Sequence, residues 1–180
     1  MSVARVNSRQ APVRTTPRPR SGAGPVVWAL LRINLGLGYL WIFLDLTFGL
    51  GWYAPPDRAW LTGNSPLRWS LINLDTPAAD LVQPVAGHPL LDLSLMLFVL
   101  LLAASFTLGA ALRAAAVGNA LVLVLSALAR LPDLPMLFVN LHLILVLLGF
   151  GLAVDGSDEV WGLGRAWRRS PLVRRLPWLR

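Results

Sequence analysis

Three ionisable side chains stand inside stretches apolar enough to cross a bilayer. Asp45 lies in Trp41-Ile42-Phe43-Leu44-Asp45-Leu46-Thr47-Phe48, Asp92 in the second such stretch and His142 in the fourth. Ionisable groups in hydrocarbon are costly by several kcal/mol and tend to mark ion, proton or substrate pathways. Asp45 lies seven residues before Trp52 and His142 seven after Pro135, which on ideal helices predicts both about 10 Å below one surface. Asp92, four residues past His88, is predicted about 6 Å below the same surface. Separate helices would then deliver acid and imidazole groups to one layer.

An imidazole and carboxylates in an apolar pocket suit a quinone. Its carbonyls need hydrogen-bond donors, and its reduction takes up protons that titratable neighbours must relay. Buried carboxyls can hold protons nearer neutral pH than exposed ones. His142 is the expected quinone or proton ligand, Asp45 its relay partner and Asp92 a secondary relay, with Asn140 and Trp41 as further cofactor contacts. The plainer alternative is that Asp45 pairs with His142 only to hold helices together, and that Asp92 answers the dipole of a helix start. Arg32 is expected to snorkel to the headgroups, and Asn34 and Asn119 to make interhelical hydrogen bonds. Arg58, Arg68 and Arg130 are the outer cations suited to attract an anionic substrate. No metal site is expected. Haem ligated by two histidines would need His88, which sits too shallow beside Pro89.

The elements that must position these groups follow from composition and charge. Of 180 residues, 56% are hydrophobic and 14% charged, with mean hydropathy +0.61. Soluble domains are nearer a quarter charged, so this is the composition of an integral membrane protein. The absence of cysteine excludes disulfides, iron–sulfur clusters and thiol catalysis within the chain. All 16 cationic residues are arginine. They cluster at the two ends beside apolar segments, which fits anionic lipid headgroups rather than nucleic acid.

The expected fold is an all-α integral membrane four-helix bundle with spans near 26–52, 88–112, 114–129 and 135–154. A disordered Arg/Pro-rich tail (1–24), an outer loop (53–87) and a Trp/Arg-rich juxtamembrane tail (157–180) flank the membrane domain (25–156). The first apolar run is expected to remain as an anchor, with no twin-arginine pair before it. Five arginines precede the first span, Arg113 follows the second and six follow the fourth. The positive-inside rule then places both termini and the middle turn in the cytoplasm of a multi-pass plasma-membrane protein. Gly36, Gly38, Gly118, Gly149 and Gly151 mark close helix approaches. Gly63-Asn64-Ser65-Pro66 marks a turn in the outer loop, flanked by Trp52, Trp60 and Trp69, which suggests a lid on the outer interface.

Several pieces together resemble the DoxX/DoxD family of small four-span membrane proteins. They are Leu31-Arg32-Ile33-Asn34-Leu35-Gly36-Leu37-Gly38 leading into Trp41-Ile42-Phe43-Leu44-Asp45, then Phe48-Gly49-Leu50-Gly51 and Ala59-Trp60-Leu61-Thr62-Gly63-Asn64-Ser65-Pro66. The histidine of the fourth span, followed by Trp161-Gly162-Leu163, completes the set, which covers about residues 28–168. The loop motif looks most like the DoxD branch. The resemblance implies a membrane subunit that oxidises thiosulfate to tetrathionate and passes electrons to membrane quinone, working with a second subunit or as a homo-oligomer. This chain has Leu46 where relatives commonly carry lysine, and Asn140-Leu141 where they carry acidic residues. The alternative function is a non-catalytic membrane scaffold that recruits redox or stress-response enzymes through its arginine-rich tails.

Overall fold

A computed structural model describes residues 23–71, 76–77, 80, 83–130, 140–155 and 159–175. All regular structure among them is helical. The four long helices are α1 (Ala23–Phe48), α3 (Pro89–Leu108), α4 (Leu112–Leu128) and α5 (Leu141–Asp155). A short α2 (Pro66–Leu71) lies in the loop after α1, and short α6 (Gly164–Arg168) and α7 (Pro171–Arg175) follow α5. The expected disorder of 1–24 falls almost wholly outside the described residues, as do the start of the fourth span (135–139) and most of the short loop at 130–134.

α1 and α3 are long and apolar enough to span a bilayer. At about 1.5 Å per residue, their 26 and 20 residues rise roughly 39 and 30 Å. α4 and α5 are shorter apolar helices. α1 packs chiefly along α3 and α4 chiefly along α5, while the α3–α4 contact is slighter. A shared core joins the two pairs through Leu35, Tyr39, Val99, Leu102, Phe106, Leu112 and Leu152.

The first span ends earlier than the sequence suggests, at Phe48 rather than Trp52. Gly49 takes a left-handed turn (φ +67°), and a Cβ there would lie 2.6 Å from the Pro56 Cα. The chain therefore folds back over the end of α1 instead of continuing outward. α3 ends at Gly109, also left-handed, and Ala111 (φ 53°) completes the predicted tight turn into α4.

The glycines divide. Gly36 lets α1 approach α3, where a Cβ would overlap Thr107 Oγ1, and Gly118 lies against Phe98 and Leu102. Gly149 accommodates Asn119 and Gly151 lies under Trp28. Gly38 faces open space, so it marks no approach.

Candidate functional site

Asp45 is fully buried. Its Oδ1 accepts from the Trp52 N–H at 3.1 Å, and its Oδ2 accepts from the N–H groups of Tyr53 (2.6 Å) and Ala54 (2.9 Å). The fold-back after Gly49 brings three successive amides over one carboxylate, a concave backbone arrangement suited to an anion. Because α1 stops at Phe48, Asp45 lies three residues from its end, about 5 Å rather than the expected 10 Å.

Asp92, 4% exposed, lies in the first turn of α3. Its Oδ1 accepts from Ser65 Oγ at 2.7 Å and from the Leu67 N–H at 3.2 Å. Ser65 Oγ in turn accepts from the Arg68 N–H at 3.0 Å, so Asp92 and Ser65 together satisfy the first amides of α2. Gly63 (φ 85°) closes the preceding turn, and the Asn64 side chain bonds the Asp57 carbonyl at 2.9 Å. The Gly-Asn-Ser-Pro turn is thus a helix start with proline at its first position.

His142 is the second residue of α5 and is half-buried. It makes no hydrogen bond among the described residues, and neither a hydrogen bond nor an ion pair links it to Asp45. The positive charge that bears on its ring is the Arg130 guanidinium. Asn140 caps α5, its Oδ1 accepting from the Leu143 N–H at 2.9 Å. Trp41 is 46% exposed on the outward side of α1. Asp45, Asp92 and His142 therefore share one end of the helices but belong to separate constellations.

Arg58, Arg68 and Arg130 stand on three different segments. Arg58 lies over the Trp69 ring at 5.2 Å and beside Asp57 at 3.5 Å. The Arg68 guanidinium donates to the Ala86 carbonyl at 2.9 Å, and Arg130 follows α4. His88 caps α3 through Nδ1, which accepts from the Leu90 N–H at 3.3 Å.

The opposite end holds a residue misjudged from sequence. Arg32 does not snorkel: it is fully buried. One guanidinium nitrogen donates to the carbonyls of Phe106 (2.7 Å) and Thr107 (2.9 Å) at the end of α3. The other donates to those of Val160 (3.2 Å) and Trp161 (3.1 Å) in the segment after α5. Trp161 has a left-handed backbone (φ 48°), and the Leu163 N–H donates to the Leu108 carbonyl at 2.7 Å. A buried charge needs partners of this kind, and the last carbonyls of a helix lack them within the helix itself. The signal in the sequence was a lone arginine several apolar residues inside a span.

Between the two ends, the Tyr39 hydroxyl donates to Asn119 Oδ1 at 2.7 Å, and Asn119 Nδ2 donates to the Leu145 carbonyl at 3.0 Å. This is the expected interhelical role of Asn119, joining α1, α4 and α5. Asn34, expected to do the same, is exposed and makes no hydrogen bond among the described residues.

The chain matches no protein-family model, no curated protein and no solved structure.

Proposed function

We propose that this chain is a DoxX/DoxD-like multi-pass protein of the plasma membrane, with four spans and both termini cytoplasmic, serving as the membrane subunit of a quinone-linked oxidoreductase of the thiosulfate-oxidising type. The membrane reading is supported by two helices of spanning length, two further apolar helices packed on them and the arginine bias of the termini. The family reading is supported by the work its motif residues do: Arg32, Gly36, Asp45, Gly49 and Ser65 all occupy positions on which the fold depends.

One observation carries the redox reading. Of Arg32, Asp45, Asp92 and His142, only His142 has no hydrogen bond among the described residues, and it stands half-buried with a cation near it. A quinone carbonyl could accept from its ring N–H. In the overall reaction two thiosulfates each lose one electron as the central S–S bond of tetrathionate forms, and the quinone gains both electrons and two protons. Asp45 and Asp92 act as structural acceptors, and His142 is the ligand and proton donor. Membranes containing the protein should reduce a quinone analogue on addition of thiosulfate, and quinone should co-purify in mild detergent. His142→Ala should abolish both without lowering the amount of folded protein. A wild-type protein that neither binds quinone nor reduces it overturns this function.

A second reading, the recruiting scaffold, is favoured by the two carboxylates being engaged by loop donors and by the exposed Arg165, Arg169, Arg174 and Arg175 on α6, on α7 and between them. Val173 is fully buried, so this basic segment is docked on the protein. Replacing Arg169, Arg174 and Arg175 by glutamine tests it better than deletion, which would also remove the Arg32 partners. Loss of co-purifying enzymes, with quinone reduction absent throughout, would support the scaffold.

A further inference from the structure

A groove of about 600 Å³ opens at the outer end of the helices, between the Gln83–Val85 turn and the start of α3. Its polar groups are Arg68 and His88, and its walls are Val85, Gly87, Leu90 and Leu91. We propose that this groove binds the phosphate of an anionic phospholipid, with an acyl chain lying along the outer face of α3.

Arg68 is exposed and has no carboxylate partner among the described residues, yet it is not loose. One nitrogen is tied to the Ala86 carbonyl, and Gly87 (φ +97°) leaves room for the guanidinium, which a Cβ there would meet at 2.8 Å. Among the described residues nothing engages its remaining N–H groups, which can donate to an oxyanion. His88 Nδ1 accepts from the Leu90 N–H, so the neutral ring carries its proton on Nε2, a second donor in the same groove. Asp92, at the start of α3, lies buried and is engaged by Ser65 and Leu67.

The walls choose the source of the phosphate. A small aqueous anion needs polar surroundings, whereas Val85, Leu90 and Leu91 are 51%, 66% and 41% exposed. From Leu90 the strip continues through Leu93, Leu97 and Leu101, all exposed at helical spacing on one face of α3. An amphiphile would place its charge at Arg68 and its chain on that strip.

The inference rests on the chain being membrane-embedded, and the test separates the two. Resistance to alkaline carbonate extraction reports embedding; lipid selectivity reports the groove. The protein, purified from mixed phosphatidylglycerol and phosphatidylcholine micelles, is analysed for retained lipid by native mass spectrometry. Wild type should retain phosphatidylglycerol about fivefold over phosphatidylcholine, the effect of roughly one favourable arginine contact. Arg68→Gln should erase the preference, and Arg113→Gln, exposed at the start of α4, should keep it. Val85→Glu, which puts a competing anion into the groove and leaves Arg68 in place, guards against misfolding of the first variant. Leu93→Ser with Leu97→Ser should lower retention of long-chain lipid. An unchanged preference in Arg68→Gln and Val85→Glu overturns the proposal, as does displacement of the lipid by equimolar inorganic phosphate, which would mark a small-anion site.

Discussion

At one end of the helices a single cation gathers four carbonyl oxygens; at the other, two carboxylates gather backbone amides from a long loop. The Arg32 end suits the dipole of α3, whose last carbonyls carry partial negative charge. Asp92 likewise suits the positive start of that helix. Asp45 does not, since it sits near the negative end of α1, and it depends on the three amides that Gly49 folds over it. Ionisable residues that looked like chemistry thus divide by what surrounds them. Where backbone groups converge on a charge, it organises the chain; among the described residues none converge on His142.

The largest effect should fall on the cationic end. Arg32→Ala leaves several buried carbonyls without a donor and should destabilise the protein by about 4 kcal/mol, read as a lower denaturation midpoint in detergent. Proteolysis should then cut near residues 160–163 first. Arg32→Lys keeps charge but loses the planar fork, and should recover only part of that stability.

Asp45→Asn should cost about 2 kcal/mol, since an amide offers one acceptor atom where the carboxylate offered two. Exposure of residues 52–54 to protease would show it, and the same variant should leave bound quinone in place. If it abolishes quinone reduction at full stability, the division between the two kinds of charge fails. Ser65→Ala should cost about 1 kcal/mol by removing the cap of α2, with a matching gain in amide exchange at Arg68. At mid-depth, Tyr39→Phe should cost about 0.6 kcal/mol, the average for an interhelical hydrogen bond in a membrane. Ala111→Gly should stabilise by up to about 1 kcal/mol by relieving the left-handed backbone; an unchanged midpoint would mean the turn carries no strain.

Hydropathy made the long helices readable, because an apolar run is written residue by residue. Span ends were less readable. Trp52 looked like the outer limit of the first span, but a left-handed glycine four residues after Asp45 turned the chain, which also halved the inferred depth of Asp45. Arg32 was misjudged because snorkelling and carbonyl capture look the same in one segment; its partners lie 74 to 129 residues away. Span membership says nothing about which side of a helix a residue occupies, so the same expectation holds for Asn119 and fails for Asn34. A tyrosine in an apolar run, such as Tyr39, carries no signal until its acceptor is known.

The Arg32 arrangement has a consequence for biogenesis. Two of its acceptors, Val160 and Trp161, are 128 and 129 residues further along the chain. During synthesis from the N-terminus, α1 leaves the ribosome long before those carbonyls exist, so its guanidinium lacks two of these four acceptors until the segment after α5 is made. Full engagement of Arg32 is therefore a late event, reached only once the segment after α5 has been made.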